Sequence, residues 1–300
     1  MVKGLECYEA ILKGAKRPKY LIAKHKGLLD KKVAQAGEIL KKCEFCERHC
    51  GINRLKGERG FCSASEKASI FGAHAHYGEE PELVPSATLF FAGCSMRCCY
   101  CQNAPESIVP NLGNYWSEQE IANWISIMYK NGCKNVNFVG GDPTPYTYNI
   151  LKALLLCDAP IPVVWNSNAY YSKKTANLLQ GVIDVYLLDF RYFSDECAIK
   201  YSNAPNYVAA AKRNFLKASK DAEVLVRILV MPSHIDCCAK PMLEWLAKNL
   251  GKDVRINIMD QYWPAFYASR FPEINRRLTR KEFLSVLDYA RELGLNNLVQ

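Results

Sequence analysis

Ala87-Thr88-Leu89-Phe90-Phe91-Ala92-Gly93-Cys94-Ser95-Met96-Arg97-Cys98-Cys99-Tyr100-Cys101-Gln102-Asn103 starts as a short apolar run and, at a glycine, becomes a loop carrying cysteines in CxxxCxxC spacing. The run Ala87 to Ala92 has the aliphatic and aromatic content of a buried strand. Five more such runs follow: Asn135 to Val139, Ile161 to Asn166, Ile183 to Phe190, Glu223 to Val230 and Val254 to Met259. Amphipathic segments lie between and after them, about Tyr146 to Leu156, Lys173 to Gln180, Pro205 to Ser219, Met242 to Leu250 and Thr279 to Leu293. The helix after the first strand is the clearest, with Ser117 and Glu120 spaced as a capping box and Ile121, Trp124, Ile125 and Met128 at i, i+3, i+4, i+7. Strands alternating with helices predict repeated βα units on a parallel sheet, an α/β fold built as a partial (β/α)6 barrel over residues 83–300. Chemistry in such folds sits at the carboxyl ends of the strands, and the unusual residues of this chain fall there.

The composition admits that reading. With 300 residues, 49% hydrophobic and 23% charged, the chain can bury a sizeable core, which excludes disordered and fibrous classes. It has no apolar run long enough to span a bilayer, and Met1-Val2-Lys3 does not open a secretory signal, so a soluble, cytoplasmic protein with no membrane partner is expected. Fourteen cysteines are too sparse for a disulfide scaffold and too many for an ordinary cytosolic enzyme. In a reducing compartment, spaced thiolates hold metals. Residues 1–82 form a separate basic, cysteine-rich segment: residues 1–60 carry 15 Lys+Arg against 7 Asp+Glu, most of the +9 net charge.

Cys94, Cys98 and Cys101 can occupy three corners of a [4Fe-4S] cube, leaving the fourth iron open, whereas a zinc ion would lack a fourth ligand. The loop resembles the signature of the radical S-adenosylmethionine (radical SAM) superfamily, including the aromatic Tyr100 before the last cysteine. The resemblance implies an oxidoreductase whose cluster, reduced by a donor such as ferredoxin or flavodoxin, cleaves SAM to a 5′-deoxyadenosyl radical that abstracts hydrogen from substrate. It also implies that Gly140, Gly141 and Asp142, after the second strand, correspond to the GGEP motif that receives the SAM ammonium, with Asp in place of Glu. Asn168 matches a motif meeting the ribose, Asp189 and Arg191 an Asp-x-Lys element, and Arg227 an arginine facing the SAM carboxylate. Each of these charged residues could equally be an ordinary surface ion. Cys99 reads as a small buried thiol.

Cys43, Cys46, Cys50 and Cys62 supply four thiolates, a closed shell for zinc or for a second iron-sulfur cluster that carries electrons. His49 beside them reads as solvated. From Cys43 to Tyr262 the chain is similar to the PflX-like relatives of pyruvate formate-lyase activating enzyme, which implies hydrogen abstraction from a protein or peptide, as in glycyl-radical activation. Small-molecule modification is the alternative. A third class is a nucleic-acid-binding module using the knuckle and basic arm beside an idle barrel, although the arm lacks the interleaved aromatics that base stacking needs, so nucleic acid is not the expected partner. His74 and His76 read as structural. Cys7, Cys133, Cys157, Cys197, Cys237 and Cys238 show no ligand spacing and read as small hydrophobes.

Overall fold

The computed structural model describes residues 3–299. Its framework is one sheet of eight strands, β1 (Ala68–His76), β2 (Ser86–Phe91), β3 (Asn114–Trp116), β4 (Asn135–Gly140), β5 (Val163–Ser167), β6 (Val185–Asp189), β7 (Glu223–Leu229) and β8 (Arg255–Met259), in the order β3-β1-β2-β4-β5-β6-β7-β8. From β2 to β8 every pairing is parallel, which gives the six-stranded open barrel read from the sequence. β1 and β3 add an antiparallel edge that the apolar runs did not announce. β1 carries Gly72, His74 and His76 among its apolar residues, and β3 is too short to show a period. His74 stacks on Phe90 and His76 meets the same ring edge-on, which gives the pair a packing role on the sheet.

Ten helices accompany the sheet among the described residues: α1 (Glu6–Leu12), α2 (Lys19–His25), α3 (Leu28–Lys41), α4 (Glu118–Lys130), α5 (Thr147–Leu156), α6 (Lys173–Leu179), α7 (Asp195–Ser202), α8 (Tyr207–Asp221), α9 (Lys240–Asn249) and α10 (Arg280–Glu292). α4 opens with both halves of the Ser117/Glu120 capping box, satisfying two backbone donors that would otherwise be orphaned. None of the helices is long and apolar enough to cross a membrane.

Strand alternation sorts the side chains into two layers. Phe138, Trp165, Leu188 and Val226 join the large core shared with the helices. Val164, Val185, Leu187 and Leu225 face inward near the amino ends of the strands, where Leu5, Tyr8 and Leu83 cover them as a hydrophobic floor. The Tyr8 hydroxyl accepts a hydrogen bond from Asn135 Nδ2 at 2.8 Å, so α1 closes the barrel from below. Above the floor Arg227 is gripped by Glu80, at 2.7 Å, and by Glu79, while Asn257 donates to Glu80 at 2.8 Å. What remains open on the inner face is the rim at the carboxyl ends of the strands.

The rim depends on close backbone approach. Gly140 has φ +122°, and a Cβ there would lie 2.1 Å from Phe91 N. Gly140→Ala should cost about 3 kcal/mol or more in chemical denaturation, whereas Gly181→Ala, at φ +72° with open space around it, should cost only about 1 kcal/mol from backbone strain.

Candidate active site at the carboxyl ends of the strands

Gly93 ends β2 in a left-handed conformation, and the loop after it carries Cys94, Cys98 and Cys101 into a cleft whose opposite wall comes from β4 to β8. Tyr100, Gly140, Gly141, Asp142, Asn168, Asp189, Arg191 and Arg227 line that same cleft, so the residues singled out in the sequence converge on one site.

Each of the three sulfurs has a polar neighbour. Cys94 Sγ accepts from Met96 N–H at 3.4 Å and lies 3.7 Å from Asn168 Nδ2. Cys101 Sγ pairs with the Ser107 hydroxyl at 3.1 Å, and Ser202 Oγ donates to Cys98 Sγ at 3.0 Å. Ser202 is also 2.6 Å from Tyr192 OH, which is 2.6 Å from Tyr100 OH. Because Ser202 spends its proton on sulfur, it accepts from Tyr192, and Tyr192 accepts from Tyr100. The chain is therefore polarised toward Cys98. Burial pushes the Cys94 and Cys98 thiols up, and for Cys94 the Asp142 carboxylate adds to the effect, so cationic metal is what would let these sulfurs ionise. Cys99 is buried, and its amide bonds the carbonyl of Tyr201 at 2.7 Å rather than joining the cluster set.

Asp142 is almost fully buried and turned inward. It accepts from Ser167 Oγ at 2.8 Å, Ser95 Oγ at 3.2 Å and Asn168 N–H at 3.4 Å. Its carboxylate ties the loops after β2, β4 and β5 together. Gly141 is required by the same packing, since a Cβ there would sit 2.3 Å from the Gly93 carbonyl. The Gly140 carbonyl accepts from Asn103 Nδ2 at 3.1 Å. Arg191 pairs with Asp189 at 2.5 Å, which with the Cys98 sulfur holds its guanidinium charged. Its Nε, like Asn166 Nδ2, is buried without a hydrogen-bond partner. Two orphaned donors in one cleft suit a ligand rich in oxygen acceptors. Arg227, by contrast, already meets Glu79 and Glu80.

The four-cysteine segment lies against this site. Cys43, Cys46 and Cys62 are buried, Cys50 is exposed, and the sulfurs of Cys43 and Cys50 act electrostatically on both Cys46 and Cys62. Gly60 is needed here: a Cβ would stand 2.9 Å from Cys50 Sγ. His49 is exposed beside Glu47. Arg97 donates to the carbonyls of Cys94, at 2.8 Å, and Phe61, while Arg48 donates to the Ser95 carbonyl at 3.0 Å; the two guanidiniums lie 4.4 and 3.6 Å from the Phe61 ring centroid. Sequence reading missed Ser202, Ser107, Tyr192, Arg48 and Arg97, which carry no motif spacing. It also missed a third group: Cys197, His234 and Cys237 have ligand atoms all within 4.8 Å of one another, the one such trio among the described residues. Cys7 and Cys237 are exposed, so the small-hydrophobe reading does not hold for them.

Residues 88–246 match the Radical SAM superfamily, and the chain belongs to that superfamily of enzymes, which implies a [4Fe-4S] cluster and SAM. "Uncharacterized protein MJ0674" of Methanocaldococcus jannaschii is 45% identical over 276 residues, 90% of this chain and 80% of that protein. Among solved structures, Streptococcus suis SuiB bound to its precursor peptide SuiA superposes with a TM-score of 0.53 at 16% identity over 68% of this chain and 46% of SuiB. HydG, a maturase of the [FeFe]-hydrogenase, gives 0.52 at 14% over 99% of this chain and 62% of its own. The chain thus spans about half the length of SuiB, and at these identities the shared property is the fold.

Ser202→Ala removes the hydroxyl that donates to Cys98. Hydrogen bonds to cluster sulfurs raise reduction potential, so the reconstituted variant should bind wild-type iron yet titrate at a more negative potential in an electron-paramagnetic redox titration. An unchanged potential would count against the assigned contact.

Proposed function

We propose that this protein cleaves SAM reductively and abstracts hydrogen from a protein or peptide. The convergence of Cys94, Cys98 and Cys101 with Asp142, Asn168 and the orphaned Arg191 Nε on one cleft carries the reading. The donor set fits the cofactor: three buried or half-buried thiols on one loop, each with a polar neighbour, and no fourth protein ligand assigned. Cys94, Cys98 and Cys101 would hold a [4Fe-4S] cluster, which when loaded and reduced supplies the electron that turns SAM into a hydrogen-abstracting radical. The residues around it orient and exclude water. Arg191, kept charged by Asp189, offers its free Nε to a carboxylate or hydroxyl of the ligand, and Asn166 Nδ2 offers a second donor. Asp142 acts through the loops that it holds together.

The polypeptide substrate is inferred from the open side of the barrel. After β8 the chain leaves Trp263, Phe266 and Tyr267 about half exposed, and Tyr267 N–H bonds the Cys99 carbonyl at 2.7 Å, which sets this aromatic patch against the cysteine loop. Aromatic anchors beside an open cleft suit an extended chain. SuiB, of similar fold, binds a precursor peptide, and this supports the reading. The nucleic-acid alternative loses ground because many basic residues of the N-terminal segment are spent on the body of the protein: Lys24 on Asp158 at 2.6 Å, Lys19 on Asp221 at 3.5 Å and Arg48 on the carbonyls of Ser95 and Asn203.

For Cys43, Cys46, Cys50 and Cys62 we favour a second iron-sulfur cluster. The segment that carries these cysteines lies against the loop of Cys94, where Arg97 takes the carbonyls of Cys94 and Phe61 and Arg48 that of Ser95, a place that suits a centre passing electrons to the site.

Two experiments test these assignments. Replacing Cys94, Cys98 and Cys101 by alanine should abolish formation of 5′-deoxyadenosine while leaving about half the iron, held by the N-terminal cysteines; full SAM cleavage in the variant refutes the assignment. Incubating reconstituted enzyme and unlabelled SAM with the desalted polypeptide fraction of an extract from cells grown in deuterated medium should place deuterium in 5′-deoxyadenosine. Deuterium acquired only from the low-molecular-weight fraction of that extract overturns the polypeptide reading in favour of a small molecule.

A further inference from the structure

Cys197 lies in α7, His234 in the loop after β7, and Cys237 in a π-helical turn over Ile235–Ala239 that leads into α9. None of the three lines the cleft, and they belong to neither cysteine set described above. We propose that they form a separate mononuclear site for a divalent zinc-class ion, with two thiolates, one imidazole and a solvent molecule as ligands.

The geometry requires little adjustment. All three ligand atoms lie within 4.8 Å of one another, and zinc would need them roughly 3 to 4 Å apart, a contraction within reach of small rotamer changes. His234 is buried and its Nδ1 donates to the Pro232 carbonyl at 2.7 Å, since a carbonyl can only accept. The donation fixes the tautomer, leaves the lone pair on Nε2, and is the support that metal-bound histidines ordinarily have. The edge-to-face contact with Tyr201, centroids 4.8 Å apart, fixes the plane of the ring. Cys237 is exposed, which provides an entry path and a place for the solvent ligand. Cys238 is the nearest rival for the fourth position, its sulfur accepting from that of Cys237 at 3.8 Å, but it does not join the trio, so the fourth position is left to solvent. A π-helical turn is itself uncommon and recurs where side chains must be aimed at a site. Soft thiolates with imidazole select zinc over magnesium or calcium. Binding displaces two thiol protons to solvent and changes no oxidation state.

The site would also brace the cleft from outside. α7 ends in Tyr201 and Ser202, whose carbonyls accept from Cys99 N–H at 2.7 Å and Arg97 N–H at 2.9 Å, and Ser202 Oγ bonds Cys98. An ion joining Cys197 to the loop after β7 therefore fixes the helix that holds the cysteine loop.

The test uses full-length protein reconstituted anaerobically with iron and sulfide, then given one equivalent of zinc chloride and desalted. Elemental analysis should show close to one zinc per chain in the wild type and in the control Cys7→Ser. Zinc should fall at least tenfold in Cys197→Ser, His234→Gln and Cys237→Ser, with iron content and far-ultraviolet dichroism unchanged. Cobalt loaded in place of zinc should give thiolate-to-cobalt charge-transfer absorption in the wild type that is lost, with the zinc, in Cys237→Ser. Cys237 is exposed, so its variant decides the matter if Cys197→Ser does not fold. Wild-type zinc in the Cys237 and His234 variants, or zinc lost only on changing Cys43 or Cys46, overturns the proposal.

Discussion

The buried carboxylate of Asp142 holds three loops that otherwise have no covalent or sheet connection at their tips. Two hydroxyls and one backbone amide converge on it from the ends of β2 and β5, and a charge taken out of water persists only where such donors replace the lost hydration. Cys94 and Asn168 are positioned through that junction, and the glycines beside it let the strand ends close to the distance it requires. The short side chain of Asp142 is thus used inward, on the protein, and does not reach across the cleft.

The same economy appears in the N-terminal segment. Arg48 and Arg54 bind backbone carbonyls across the chain: the fully buried Arg54 takes the carbonyls of Ser65, in its own segment, and Pro145, in the body, between the rings of Phe45 and Tyr146. A guanidinium has several donors in a rigid plane and remains charged when buried, so one residue can cross-link two loops that lack side-chain partners. Part of the basic excess that admitted a nucleic-acid reading is internal mortar.

Six parallel strands and α4 were legible because their signals are local: an apolar run, a capping pair, a helical stripe. The cysteine loop was legible because metal chemistry fixes ligand type and spacing within a few residues. Ser202, Tyr192 and the Arg48/Arg97 pair were not, because they reach the site through the topology of α7 and the N-terminal segment, and a lone serine or arginine carries no spacing. The floor made by Leu5, Tyr8 and Leu83 was hidden for the same reason: it joins chain ends to the barrel interior through tertiary packing that no window of sequence contains. Cys197, His234 and Cys237 sit on separate loops, so their proximity could only be seen in three dimensions.

A Cβ on Gly93 would fall 2.7 Å from the carbonyl oxygen of Cys62, so the last cysteine of one set rests on the hinge of the other. Any side chain at position 93 would press on the backbone that carries Cys62, so the shape of one thiolate set is coupled sterically to the loop of the other.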